Sequence, residues 1–567
     1  MLHIDRPSDH NGTLSASLWF LLLKRLSFNL WTPITLAIAT LIAIPILFVL
    51  SSIFTDSGEV WSHLVETVLG RYITNSLWLM VGVAVGVSTL GIATAWLVTM
   101  CRFPGKKFWE VALLLPLATP AYLLAYIYTD LLDYYGWVQR TLRGIFGWQS
   151  AQDYWFPDVR SLGGAIAMLI LVLYPYVYLL ARVSFLEQSA TTLEASRSLG
   201  CSPWKSFWAI ALPLARPAIT AGLALALMET LNDFGTVQFF GVETFTTGIY
   251  RTWFGLGEPQ AAAQLAAILM LFIAGLLLLE KWSRQQAKYY QTSNNYAKPN
   301  LYKLNLWSSV LSIFTCAIPI FFGFVLPVGV LLNMAFNRPQ AKFRVEFWEF
   351  AQHSFLLASL TATLAVAIAL ILAYGQRLNQ TLLMRFGIRV AALGYAIPGS
   401  VIAVGILIPI GKLDNAIANF MKAQFGLSTG LLLSGTIFAL VFAYLVRFLA
   451  VSFGAVETSL GKIKPTLDDA SRSLGNSPIK TLIQVHTPLM WSGLLTAAML
   501  VFVDVMKELP ATLVIRPFNF DTLAVKVYQY ASDERLVEAS VPALAILIVG
   551  LIPVIFLSWQ IAHARDE

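Results

Sequence analysis

Runs of about 20 mostly apolar residues, long enough to cross a bilayer as helices, recur along this chain with short polar stretches between them. They centre on Pro33–Phe54, Ser76–Met100, Phe108–Tyr128, Leu162–Ala181, Pro217–Leu231 and Ala261–Leu279. A second set follows at Leu311–Met334, Ser354–Tyr374, Val390–Ile410, Leu431–Val446, Met490–Met506 and Val541–Trp559. The pattern predicts an all-α polytopic membrane protein of about 12 transmembrane helices in two sets of six. The first run follows a polar start containing Arg6, Lys24 and Arg25 and lacks a small-residue cleavage site, so it is expected to be an uncleaved span.

Of the 567 residues, 57% are hydrophobic and 12% charged. Soluble domains carry about twice that charged fraction, which excludes a water-soluble globular chain. The net charge of +7 forms no basic stripe, so it points to membrane loops and not to nucleic acid. With a cytoplasmic N-terminus, most of the 38 Lys and Arg residues fall on the cytoplasmic side. These include Arg102, Lys106 and Lys107, then Lys281, Arg284, Lys288, Lys298 and Lys303, then Arg377, Arg385 and Arg389. The bias predicts both termini inside. Cys101, Cys201 and Cys316 have no metal-ligand or disulfide spacing.

Self-comparison exposes a duplication. EASRSLGCSPWKSFWAIALPL begins at Glu194, and DASRSLGNSPIKTLIQVHTPL begins 275 residues later at Asp469. Asn75-Ser76 and His353-Ser354, 278 apart, are expected to open the second span of each half. Six spans per half is an even number, so both repeated loops face the cytoplasm. The expected division is an N-terminal segment 1–32, a first half 33–280, a linker 281–306, a second half 307–562 and a tail 563–567.

Thr191 and Thr466 stand three residues before Glu194 and Asp469, the spacing of a capping box that would start a short helix. Gly200 and Gly475 would end it in the left-handed conformation. Ser202-Pro203 and Ser477-Pro478 then offer an N-cap and a first-turn proline for a second helix. A single copy reads more readily as an amphipathic connector. Two copies favour a docking surface for a partner with two equivalent pockets.

These residues resemble the EAA loop of binding-protein-dependent ABC importer permeases. Glu194, Ala195, Ser196, Gly200 and Leu212-Pro213 match that pattern, with Pro203 beginning the next helix. The second copy has Asp469, Ala470, Ser471, Gly475 and Pro478, and departs at its first acid and at Thr487-Pro488. The resemblance covers nearly the whole chain as two fused permease halves. It implies coupling helices seated on a separate ATPase dimer, a periplasmic-type binding protein on the outer face, and an inner-membrane location. The chain would then be a transport subunit with no catalytic residues and no cofactor of its own. The nearest approach to a phosphate-binding loop, GILIPIGKL at Gly405, has the wrong spacing.

The next span of each half ends in acids: Glu229 and Asp233, then Asp504 and Glu508. Each pair is spaced i,i+4 on one helix face, so four carboxylates could line a pathway for a hard cation. The competing expectation is interfacial acids, with Lys507 neutralising Asp504. The segments starting at Glu229 and Met506 resemble those of ferric iron permeases, which implies ferric iron as substrate. Fused thiamine permeases share the layout, and proton- or sodium-coupled carriers also reach twelve spans in two repeats. His353 and His486 are expected to be interfacial or loop side chains, Gly82 and Gly86 to mark close helix packing, and Pro116, Pro120 and Pro398 to kink spans three and nine.

Overall fold

The computed structural model describes residues 31–55, 58–188, 200, 202–285, 301–338 and 345–563. Among them, ten helices are long and apolar enough to cross a membrane, or twelve if each of two sharply bent pairs is one span. The fold is all-α; the only strands among the described residues are Cys101–Arg102 and Tyr302–Lys303, paired in parallel.

The prolines break spans three and nine more sharply than a kink. Lys106–Ala118 and Ala121–Phe146 meet at 89°, and Pro120 is the N-cap of the second piece. In the second half Leu382–Ala391 ends before a short 3-10 turn, and Pro398 is the N-cap of Gly399–Phe425. The apolar runs read as Phe108–Tyr128 and Val390–Ile410 therefore straddle these breaks. Proline lacks an N–H, and its ring bars the preceding residue from the helical conformation, so each break falls where hydrophobicity alone sees continuity.

A smaller proline effect recurs. Five-residue π turns at Phe207–Ala211, Phe321–Val325 and Leu482–His486 each run directly into a residue followed by Pro213, Pro327 or Pro488. A proline ring collides with the carbonyl four residues back, and a widened turn relieves that contact. The Leu-Pro that closes the repeated loop thus acts as a local helix expander.

Two compact units are present. One comprises Met1–Ile46, Thr361–Tyr395 and Leu445–Val501; the other comprises Leu47–Leu360, Ala396–Tyr444 and Phe502–Glu567. In the first, the opening span packs on second-half residues. Trp31 meets Tyr374 edge-on at 5.5 Å, Asn379 Nδ2 donates to Thr32 Oγ1 at 2.9 Å, and a Cβ on Gly387 would lie 3.2 Å from Thr35. In the second unit the exchange is reciprocal. Tyr128 donates to the Phe322 carbonyl at 2.7 Å, and Gly323 approaches Leu171 and Pro116 too closely for a side chain. The first span of each sequence half is therefore packed against the other half.

Gly82 and Gly86 serve close packing as expected: added methyls would strike Ile166 at 2.6 Å and Ile170 at 2.1 Å. Asn75 and His353 lie within long helices and not at their starts. Asn75 Nδ2 donates to the Glu243 carbonyl at 2.9 Å, and His353 Nδ1 lies 3.0 Å from the Asp521 carbonyl. These contacts are equivalent under the repeat and clamp each second span to the segment after span five.

Candidate functional site

The second repeated loop is described in full. Its helix spans Thr466–Ser473 with Pro465 as N-cap and no capping side chain, which corrects the expected capping box. Pro465 already has helical geometry, so the helix starts one residue early and Thr466 sits inside its first turn. The end is as expected. Gly475 has φ +78°, its N–H donates to Arg472, and Asn476 donates to Ser471, the paired bonds of a Schellman cap. Ser477 Oγ then accepts from Lys480 N at 3.3 Å and Pro478 begins the next helix. Asp469 and Ala470 are exposed, whereas Ser471 is buried and shares a 2.8 Å hydrogen bond with Thr481.

In the first loop, Thr191, Glu194, Ala195, Ser196 and Arg197 lie outside the described residues. Gly200 has the same φ of +78°, Ser202 Oγ accepts from Lys205 N at 3.3 Å, and Pro203 opens the following helix. Backbone geometry therefore repeats wherever both copies can be compared.

Beneath the second loop lies a cluster that sequence reasoning missed. Arg377, on the helix Val345–Leu378, donates through Nε and Nη2 to Asp468 Oδ2 at 2.9 and 2.6 Å. It also reaches the carbonyls of Leu460 and Ile463. The buried His486 contributes Nε2 at 2.8 Å from the other Asp468 oxygen, so it is neither interfacial nor in a loop. Burial works to raise the Asp468 carboxyl, but hydrogen bonds from His486 and Arg377 prevail and hold it below the usual carboxylate range.

Among the described residues, the corresponding place in the first half holds an aromatic cluster. Trp96 packs on Phe185 at 5.6 Å and on Phe207 at 4.9 Å. A separate ion pair holds the first piece of the broken third span, where Arg182 donates to Glu110 through Nε at 2.9 Å and also through Nη2. Tyr174 and Tyr178, on the same face as Arg182, bind the Leu113 and Glu110 carbonyls, each at 2.8 Å. Nearby, burial pushes the Cys101 thiol up to about 11, so it is an inert packing group.

The acids after the loops have distinct environments. Asp233 accepts from Thr236 N at 3.1 Å, Thr236 Oγ1 at 2.9 Å and Val237 N at 3.1 Å. Glu508 accepts from Ala511 N at 3.0 Å, Thr512 N at 3.1 Å and Thr512 Oγ1 at 2.7 Å. Both therefore cap the short helix that follows through the amides three and four residues on, and differ only in the threonine hydroxyl, three residues on for Asp233 and four for Glu508. The signal was local and readable: an acid three or four residues before threonine at a helix start. Glu229 and Asp504 are half-buried, and Lys507 lies 3.4 Å from Asp504 as expected.

Residues 87–283 match the family model described as binding-protein-dependent transport system inner membrane component. Together with the repeated loops and the spans, this defines the class: the chain is a multi-pass permease of binding-protein-dependent transport, with two halves in one polypeptide. More particularly, it is 27% identical over 493 residues to the Fe(3+)-transport system permease protein FbpB 2 of Haemophilus influenzae, covering 86% of this chain and 90% of that relative. It is 22% identical to the ferric transport system permease protein FbpB of Actinobacillus pleuropneumoniae, covering 94% and 78%. The molybdenum transport system permease protein ModB of Escherichia coli is matched over 98% of its length by 38% of this chain, at 28% identity.

Proposed function

We propose that this chain is the ferric iron permease of an ATP-driven importer in a bacterial inner membrane. The two sequence halves, 33–280 and 307–562, form one alternating-access pathway, and both termini are cytoplasmic. Loops containing Glu194, Ala195, Ser196, Gly200 and Pro203, and Asp469, Ala470, Ser471, Gly475 and Pro478, dock on a separate ATPase dimer. A periplasmic-type binding protein delivers the substrate at the opposite face.

The observation that carries the coupling role is the repeated loop geometry: two glycines at φ +78° followed by serine-capped prolines. The exposed Asp469 beside a buried Ser471 suits a loop that is fixed to its own chain on one face and presents charge on the other. Ferric iron is favoured over an oxyanion because Asp233 and Glu508 bring negative charge to the ends of both fifth spans. Carboxylates attract a hard cation and repel an oxyanion. Glu229 and Asp504 extend that acidic lining.

The test is uptake by the permease, its ATPase and its binding protein reconstituted in vesicles. Ferric uptake should require ATP, and loaded binding protein should stimulate hydrolysis. Uptake driven by a proton gradient with the ATPase omitted would instead establish a secondary carrier. Transport that survives neutralisation of Glu229, Asp233, Asp504 and Glu508 together would remove the carboxylates from the pathway.

A further inference from the structure

A cavity of about 600 Å³ lies at the end of the helix Ala121–Leu132. It is lined by that helix end and the segment 133–160, both in the first half, and by Glu534, in the turn before the last span. The lining holds three carboxylates, Asp133, Asp158 and Glu534, and one cation, Arg160. Two negative charges are therefore in excess. Arg160 does not hold its neighbours closely: it stands 3.7 Å from Asp133 and 3.8 Å from Glu534, in solvent-exposed contacts that contribute little. Asp158 Oδ1 accepts the Arg160 N–H at 2.9 Å, but among the described residues neither Asp158 Oδ2 nor the Glu534 carboxylate accepts a hydrogen bond. Asp414, on the matching helix Gly399–Phe425, is a contrast, since it is buried and the Leu432, Leu433 and Ser434 N–H groups fill both its oxygens. That acid has a structural use, and the free oxygens of the cavity have none.

Aromatic side chains complete the lining. The Arg143 guanidinium lies 4.0 Å over the Tyr134 ring and donates to the Tyr154 hydroxyl at 3.0 Å, so this wall is built before anything enters. Trp155, also in the lining, is 86% exposed. It stands in a run of exposed polar residues, Gln152, Asp153 and Asp158, which lipid tails would not cover. Free carboxylate oxygens beside ring faces suit an organic cation, a guanidinium or an ammonium on an alkyl stem. They do not suit a bound metal, since among the described residues no three His, Cys, Asp or Glu side chains are grouped to hold one.

We propose that this cavity receives a lysine or arginine side chain of the substrate-binding protein, with Glu534 and Asp158 as its counter-ions and Trp155 as its aromatic cover. The assignment rests on the importer reading above, in which this face is the outer one. An exposed tryptophan ringed by charge is the usual composition of an interface anchor, and an incoming cation supplies the missing charge. Arg160 gives way at little cost because its contact with Glu534 is long and solvated. Asp158 belongs to the first sequence half and Glu534 to the second, so one docked side chain engages both halves at once.

The experiment measures ATP hydrolysis by the permease and its ATPase in vesicles against the concentration of loaded binding protein. Trp155→Ala, and the double variant Glu534→Gln with Asp158→Asn, should each raise the half-saturating concentration about tenfold, as loss of an interface anchor does. The maximal rate should return at saturation, and the unfolding temperature should not move, because all three side chains are exposed. Added salt should weaken docking in the wild type and less so in the double variant, whose charges are gone. Unchanged half-saturation in both variants would overturn the seat and leave the importer reading standing. Tighter docking by Glu534→Lys with Asp158→Lys would show that the partner presents an acid, which overturns the proposed chemistry. If loaded binding protein fails to stimulate even the wild type, the importer reading falls and the seat with it.

Discussion

The two repeated loops share sequence, and backbone geometry where both are described, yet the described residues that the repeat sets beside them differ in chemistry. In the first half these residues form an aromatic cluster, with Trp96 against Phe185 and Phe207. In the second half Tyr374 replaces Trp96 under the repeat and lies 5.4 Å from the buried His486, which hydrogen-bonds Asp468 beside Arg377. Under the 275-residue offset, Asp468 and His486 stand where the first half has Leu193 and Ala211. The helix of the second loop is thus fixed by charge. The charged solution is directional, but it fails badly when one partner is lost.

The largest expected effect tests that brittleness. Asp468→Ala leaves the part-buried Arg377 guanidinium with only its two carbonyl partners and should cost about 3 kcal/mol, read as a lower unfolding temperature of the purified permease and loss of uptake. Combining Asp468→Leu, His486→Ala and Arg377→Met, which makes the cluster apolar like the first half's, should recover most of the stability. If the triple variant is no better than Asp468→Ala, the two supports are not interchangeable.

Trp96→Ala should cost about 3 kcal/mol through the cavity it leaves, and no charge substitution nearby should rescue it. The third effect is smaller and should be equal in the two halves. Gly200→Val and Gly475→Val each force a side chain into the left-handed region, at roughly 1–2 kcal/mol. Neither glycine has an atom within 4 Å of an added Cβ, so the strain is conformational and should appear as weakened coupling of ATP hydrolysis to uptake. Unequal losses would show that the loops divide the coupling unequally.

The smallest effect is one of pH and belongs to the second half alone. The folded Asp468 carboxyl is held below its unfolded value, near 3.9 for a free aspartate. Its contribution should therefore be complete above about pH 4 and be lost as pH falls through the depressed value. The difference in unfolding temperature between wild type and Asp468→Asn should stay constant from neutral pH to that point and then shrink.

What could be read in the sequence was what acts locally. Glycine at a helix end, serine before proline and long apolar runs each determine structure within a few residues, and the second loop follows them apart from its start at Pro465. In the sequence the prolines of spans three and nine read as kinks, and continuous hydrophobicity masks that they break the helix outright. The Arg377–Asp468–His486 cluster was hidden because its members are 18 and 91 residues apart, and each has an ordinary solvated reading. The caps of Asp233 and Glu508 were local, yet an acid at a span end suggested transport before it suggested helix geometry. The exchange of first spans had no sequence signal beyond small residues such as Gly323 and Gly387, since apolar faces in lipid do not declare their partners.

That exchange has a consequence for biosynthesis. The span Trp31–Phe54 is made well before its partners Tyr374 and Gly387, which are about 340–350 residues downstream. At synthesis rates of about 5–20 residues per second, it waits roughly 17–70 s for its neighbour. During that interval lipid or the insertion machinery must hold its unfilled face, so maturation of the first half is timed by translation of the second.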